Sequence, residues 1–485
     1  MIEAHTVETV YAAEKALMAR LEDGELMARA VEGLAAVVAA RLEDRDGAVV
    51  AALVGPGNNG ADALYALARL AEAGHPAVAV HHDTVHDGAR RAAEAAGVVL
   101  TTDPADVAEA DVVLDGILGI GARPGLPDWA RAWVAAVPES AHVVAVDLPS
   151  GQAPDGGSVD PDGVLADETV TFSLAKPVHL LPPTEQACGV LTVVDIGVTS
   201  DAAPAVRRLD HDDVSRRWPV PGPADDKYRR GVVGVVAGGE GYTGAAVLCV
   251  TAAVASGAGM VRYVGTPAPA GLVRAAVPEA THGVGRVQAW VVGPGLDASA
   301  DSQDARDQLA VARDALAGPK PVVVDAGGLD LLDATVLDAR REGATLLTPH
   351  AGELARLLSR LAGQDVTRDD VERAPLEHAR RLADLGGATV LLKGSTTLVV
   401  PPGDGATVWS QADAPAWLAT AGAGDVLAGL LGTLLAAGLP PEEAGALGAL
   451  VHGVAADRAN PGGPVRALAV AHALPGTVAA LLRRV

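Results

Sequence analysis

The sequence predicts an α/β protein built as two successive units, each a mainly parallel sheet between layers of helix. Three observations carry this. Short apolar runs alternate with Ala-rich helical segments along most of the chain. The runs are continuous rather than alternating in polarity, as expected of strands buried on both faces. Several of them end in Gly-rich turns that open a helix. A chain of 485 residues has room for two or three domains.

Residues 1–45 read as helical, with Leu17, Leu21, Leu34 and Val38 at helical intervals. Strands follow at 48–54, 77–80, 112–114 and 142–146, with helices at 60–73 and 89–96. Between 200 and 231 the texture changes to Pro, Asp and Arg, which places the domain junction there. A second alternation begins with a strand at 232–237 and a helix at 244–256. Strands are expected at 260–264, 289–292, 322–325, 345–347 and 390–393, and a long apolar helix at 426–439. The stretch 241–261 has no charged residue and is long enough to span a bilayer. Its four glycines and its Tyr242, Thr243, Thr251 and Ser256 favour a buried helix of a soluble domain.

With 49% hydrophobic and 20% charged residues the chain is globular rather than disordered. Six Trp, five Tyr and one Phe leave the core to Ala, Val and Leu. A net charge of −24 and a pI near 4.8 argue against nucleic acid and anionic membranes as partners. Cys188 and Cys249 lack metal-ligand spacing and read as reduced, buried thiols. Glu3 and Glu8 at the start, with no apolar leader segment, go with a cytosolic expectation.

In "AALVGPGNNGADALYALARL", Gly55, Gly57 and Gly60 stand in G-x-G-x-x-G register between a strand and a helix. Glycines let the backbone approach an anion, and the helix start supplies N–H groups and partial positive charge. The same pattern serves a tight turn without ligand, and Asp83 after the next strand keeps a dinucleotide redox reading open. Asn58, Asn59 and Asp62 add oxygen donors suited to a monovalent cation or a sugar. "VVLDGILGIGARPG" places Asp115 at a strand end, and "VVAVDLPSG" does the same for Asp147 and Ser150. In an open parallel sheet, three such ends converge on one crevice.

In the second half, "VVAGGEGYTGAAVL", "VVGPGLD", "LLTPHAGE" and "TVLLKGSTTLVV" are further strand ends, the last carrying Lys393, Ser395, Thr396 and Thr397. "WLATAGAGDVLAGLLG" sets Gly422, Gly424 and Asp425 before an apolar helix. Amides at that start form an anion hole, and Asp425 can accept the proton of an attacking hydroxyl, which suits phosphoryl transfer. The plain alternative is Asp425 as a helix cap.

"GPGNNGAD", "DGILGIG", "DLPSG" and "VTFSLAKPVHLLPP" resemble the NAD(P)H-hydrate epimerase domain over roughly residues 1–205. The resemblance implies a Rossmann-like three-layer parallel sheet. It also implies contact of the hydrated dinucleotide with Asn58, Asn59, Gly60, Ala61 and Asp62, with Gly119, Ile120, Gly121, Ala122, Arg123, Pro124 and Gly125, and with Asp147. Asn59, Asp115 and Ser150 would hold potassium, and Asp147 is the candidate acid/base. Ala61 and Ala63 stand where that family's loop usually has glycine, and the usual Thr-Gly after "DLPSG" is absent.

The second set of motifs resembles the ribokinase-like superfamily, and within it the ADP-dependent NAD(P)H-hydrate dehydratase, over about residues 215–485. By that resemblance Lys393, Gly394, Ser395, Thr396, Thr397 and Gly424 bind ADP, while Ala245, Gly295, His350 and Asp425 contact the hydrated dinucleotide. Magnesium is expected on the phosphates. "DAGGL" (residues 325–329) lacks the second acidic residue usual there.

The chain is therefore expected to be a fused repair enzyme acting on NADH hydrate and NADPH hydrate, with ADP as co-substrate and as a homo-oligomer. The first unit would interconvert the epimers at C6, and the second would dehydrate the S epimer, giving AMP and phosphate. One alternative is a ribokinase-like small-molecule kinase with a non-catalytic nucleotide-binding first half. Another is a first half serving as a ligand sensor or scaffold.

Overall fold

The structure, a computed structural model, describes residues 1–43, 45 and 47–483. It comprises two compact units, Glu3–Val206 and Arg207–Val485, with Met1–Ile2 belonging to the second. The N-terminal ammonium is paired there with Asp210 and Asp213.

In the first unit seven parallel strands lie in the order Val99–Thr101, Ala77–His81, Val50–Val54, Val112–Gly116, His142–Val146, Glu168–Phe172 and Val190–Val194. Chain order reverses between Val50–Val54 and Val112–Gly116, so the crevice beyond their carboxyl ends is the switch point of a Rossmann-like sheet. Both strands are buried throughout. The helix Asn58–Glu72 packs Leu64, Leu67 and Leu70 into the core, and its small residues Gly60, Ala61 and Ala63 are buried as well. Residues 1–45 are not helical throughout. Ile2–Ala4 is a strand, and helices Val7–Met18 and Glu25–Leu42 are separated by a turn closed by Gly24 at φ +79°.

Three strands of this seven-stranded sheet escaped the sequence reading. Val99–Thr101 has only three residues. Glu168–Phe172 mixes Glu and Thr into a wholly buried strand. Val190–Val194 lies at the sheet edge with Val190 and Val193 exposed.

The second unit holds a mixed sheet. Thr389–Leu392, Thr345–Leu347, Val322–Val324, Ala289–Val292, Val232–Val236, Met260–Val264 and Thr281–His282 lie side by side and parallel. Thr397–Val400 and then Val408–Gln411 extend it antiparallel beyond Thr389–Leu392. The predicted helix at 426–439 runs from Ala423 to Ala436 and is buried from Val426 onward. The uncharged 241–261 stretch divides into helix Thr243–Ala255, a turn and the first residues of a strand. Among the described residues no helix is long and apolar enough to cross a membrane. Both cysteines are buried, and among the described residues neither forms a disulfide.

Candidate functional site

In the first unit the chain leaves Val50–Val54 through Gly55 and enters its helix at Asn58, with Gly57 as the N-cap. A side chain at Gly55 would lie 1.9 Å from the Ile117 carbonyl oxygen, and one at Gly60 2.1 Å from that of Gly55. These two glycines allow the loop, the helix and the neighbouring strand end to close together.

That closure sets a cavity of about 440 Å³ at the switch point. Asn58, Asn59, Asp62, Gly119, Ile120, Gly121, Ala122 and Asp147 line it, facing Tyr11, Glu14 and Met18 from the first helix. Gly60 and Ala61 are buried in the helix packing instead, and Arg123, Pro124 and Gly125 are exposed in the following loop; none of these five lines the cavity. Asp83 lies on the surface after its strand.

The Asn59 amide nitrogen donates to the carbonyls of Leu118 (2.7 Å) and Val146 (2.8 Å), which ties the three strand ends together and leaves Oδ1 as its remaining acceptor. Asp115 is wholly buried. It accepts from Ser150 Oγ (2.6 Å), Ser150 N (2.7 Å) and Ile117 N (3.2 Å). Burial raises its pKa to about 6 against these hydrogen bonds. No Lys, Arg or His forms an ion pair with it among the described residues. A buried carboxylate with Asn and Ser oxygens beside it is a hard-oxygen set carrying one negative charge, and it fits a monovalent cation.

Asp147 follows its strand at φ +66°, a left-handed conformation that costs a non-glycine residue roughly 1 kcal/mol or more. Its Oδ1 accepts from the Thr171 hydroxyl (2.9 Å) and from the Lys176 ammonium, itself buried and 2.8 Å from the same hydroxyl. His179 Nε2 donates to the Asp147 carbonyl (2.8 Å), while its Nδ1 accepts from Lys176 N (3.1 Å), a pattern that fixes the neutral ring. Burial, and then Lys176, hold the His179 pKa down to about 4.

Across the cavity, Asp62 has an Oδ1 atom that is buried and makes no hydrogen bond among the described residues. Burial, then Asp147 and Glu14, raise its pKa to about 8. Glu14 is raised as well, by burial and Asp147 against the pull of Lys176. Thr171, Lys176 and His179 lie inside "VTFSLAKPVHLLPP", so their signal was present in the sequence without a role attached. Tyr11 and Glu14 gave none, because one turn of an amphipathic helix does not reveal what it covers.

In the second unit the expected residues gather at the carboxyl ends of the central strands. Asp325 follows Val322–Val324 and is buried. It accepts from Thr348 Oγ1 (2.8 Å) and from the Lys393 ammonium (2.8 Å), which also lies 3.7 Å from Glu353. Burial alone would lower the Lys393 pKa, but Asp325, Glu353 and Asp425 raise it. Residues 393–396 form the loop of a hairpin whose second strand begins at Thr397, so the strand expected to reach 393 stops at Leu392.

Gly422, at φ +90°, caps the long helix, and a side chain on Gly424 would lie 3.4 Å from Lys393 Nζ. Asp425 therefore stands in the first turn beside that ammonium. Burial, then Asp325 and Glu353, raise its pKa to about 7 against Lys393. The cap is glycine, so the plain-cap alternative does not describe Asp425. His350 caps helix Ala351–Ala362 reciprocally with Glu353 and is half exposed. A side chain at Gly295 would meet the Ala245 methyl at 2.6 Å, so these two residues adjoin. Asp325 and Glu353 were the members missed. Asp325 was noted only for its incomplete "DAGGL" segment, and Gly327 there has the Leu296 carbonyl oxygen 2.0 Å from where a side chain would start.

A family model described as NAD(P)H-hydrate dehydratase matches residues 233–472, and one described as YjeF-related protein N-terminus matches residues 23–178. Over 456 residues the chain is 44% identical to the bifunctional NAD(P)H-hydrate repair enzyme Nnr of Mycobacterium tuberculosis (strain H37Rv), covering 91% of each chain. It is 43% identical to the protein of that name from Mycobacterium leprae, covering 94% of each. The crystal structure of an ADP/ATP-dependent NAD(P)H-hydrate dehydratase from Bacillus subtilis, co-crystallised with ATP/Mg2+, aligns with 57% of this chain and 99% of that one, at 25% identity and a TM-score of 0.49.

Proposed function

Because the chain belongs to the bifunctional NAD(P)H-hydrate repair enzymes, we propose that it returns hydrated NADH and NADPH to their reduced forms by two reactions, one in each unit. The first unit exchanges the epimers at C6, and the second dehydrates the S epimer at the expense of ADP. The observation that carries the second reaction is the meeting of Lys393, Gly424 and Asp425 at one helix start, a seat for phosphates beside a carboxylate whose pKa is raised to about 7.

In this reading the free amides of the helix start and the Lys393 ammonium receive the phosphates, and Asp425 takes the proton of the C6 hydroxyl as its oxygen attacks the β-phosphorus of ADP. The P–O bond to the α-phosphate breaks and AMP leaves. Phosphate then departs from C6, and loss of a proton from C5 restores the C5=C6 bond. The carboxylates of Asp325 and Glu353 beside Lys393 suit a hydrated magnesium ion held mainly by the phosphates. In the first unit Asn59, Asp115 and Ser150 would hold potassium, which would supply positive charge beside the buried Asp115, while Asp147 acts as acid/base.

The test is to give the purified chain pre-hydrated NADH with ADP and follow the near-ultraviolet absorbance of the reduced nicotinamide. The reading expects full recovery from the epimer mixture and AMP formed in step. A stable phosphorylated alcohol would mark a kinase. Recovery that stops once the S epimer is spent would leave the first unit without epimerase activity.

A further inference from the structure

We propose that Asp62 is the catalytic acid that works opposite Asp147, so that two carboxyls of one cavity divide the giving and the taking of a proton. This deepens the proposed epimerase reading and rests on it.

The carboxyls differ in how they are held. Asp147 is clamped through Oδ1 by the Lys176 ammonium and the Thr171 hydroxyl. Asp62 lines the same cavity with a buried Oδ1 that no donor among the described residues meets. An ionised carboxylate left so would be costly, whereas the protonated form needs no cation. The groups facing Asp62 act in the same direction. Glu14 and Tyr11 come from helix Val7–Met18, and Asp147 comes from the end of His142–Val146 with Lys176 and neutral His179 behind it. Against Asp62, Asp147 and Glu14 the network supplies, among the described residues, only the Lys176 ammonium, already paired with Asp147. Helix Val7–Met18 lies outside the family match at 23–178, so this wall of the cavity is read from the structure alone.

Epimer exchange at a hemiaminal carbon needs one acid and one base. Asp147 removes the proton of the C6 hydroxyl, C6 becomes an aldehyde carbonyl, the N1–C6 bond breaks, and its electron pair on N1 takes the proton of Asp62. After rotation about C5–C6 the two steps reverse. N1 returns its proton to Asp62 as it adds to the opposite face of the carbonyl, and Asp147 returns a proton to the oxygen. No atom is gained or lost and no co-reactant is needed.

The experiment uses the full chain without nucleotide, which leaves the second unit silent, and follows conversion of the pure R hydrate to the mixture. Exchange by the unsubstituted chain tests the epimerase reading itself. Given that exchange, Asp62→Asn, which keeps shape and hydrogen-bonding capacity, is expected to lower kcat at least about 100-fold with little change in KM. Wild-type kcat in this variant overturns the inference. Glu14→Gln guards against misfolding of the first variant. With a negative neighbour gone, the alkaline limb of the kcat profile should move to lower pH, and a limb that stays in place overturns the assignment.

Discussion

The Lys393 ammonium donates to the buried carboxylate of Asp325 across 2.8 Å, so the cation at the proposed phosphate seat is held from beneath. Asp425 stands beside the same ammonium and is opposed by both Asp325 and Glu353. A carboxylate placed there is poised near neutrality, where a general base works best.

Asp425→Asn is therefore expected to reduce dehydration of the S hydrate by about 100-fold or more, while epimer exchange in the first unit continues. In the unsubstituted chain the active form is the deprotonated one. Dehydration should fall tenfold per pH unit below about 7 and be flat above it. Stopped-flow rates between pH 5.5 and 8.5, roughly the range over which such a group titrates, check both, and a rate flat down to the acid end would remove Asp425 as the base.

Asp325→Asn tests the neighbour. Asp325 raises the Asp425 pKa, so its neutralisation should move the acid limb to lower pH by roughly one unit. Lys393 also loses its closest partner, and the KM for ADP should change with it. An acid limb that moves to higher pH would contradict the arrangement.

Lys176 carries a structural prediction in the first unit. Lys176→Met leaves the buried Asp147 carboxylate without its cation, a change that typically costs about 3–5 kcal/mol for a buried pair. Calorimetry should place its first transition well below that of the unsubstituted chain, with dehydration of pure S hydrate retained. Thr171→Val, which removes one hydrogen bond to Asp147, should cost about 1 kcal/mol.

The frame of both sites was legible because parallel strands announce themselves by continuous burial. Val50–Val54, His142–Val146 and Ala289–Val292 are nearly uninterrupted apolar runs, and the glycines after them mark where the chain must turn tightly. What the sequence withheld depended on long-range approach. Asp325 reads as one more strand-end acid until the hairpin loop brings Lys393 to it from 68 residues away. Lys176 reads as one lysine in a motif until its side chain is seen to reach back to Asp147. The antiparallel Thr397–Val400 and Val408–Gln411 were hidden because four-residue strands around Pro-Pro-Gly-Asp-Gly carry more turn signal than strand signal.

Asp62 gives a prediction about stability with a definite sign. Its pKa is 3.8 in the ordinary state and about 8 in the folded chain. Below the ordinary value the group is protonated in both states and contributes no pH dependence. Between the two values the unfolded chain gives up this proton while the folded chain keeps it, so unfolding becomes easier by up to about 1.4 kcal/mol per pH unit. Above the folded value both states are ionised and the effect levels off. Asp62→Asn removes the titration, so its Tm should match that of the unsubstituted chain near pH 4 and exceed it increasingly toward pH 8. Thermal unfolding of the two proteins across that range measures the difference, and curves that run parallel would mean that Asp62 is not held protonated. If they diverge as expected, the residue proposed as the acid is kept at a cost in stability, as is common for groups whose environment is set by catalysis rather than by folding.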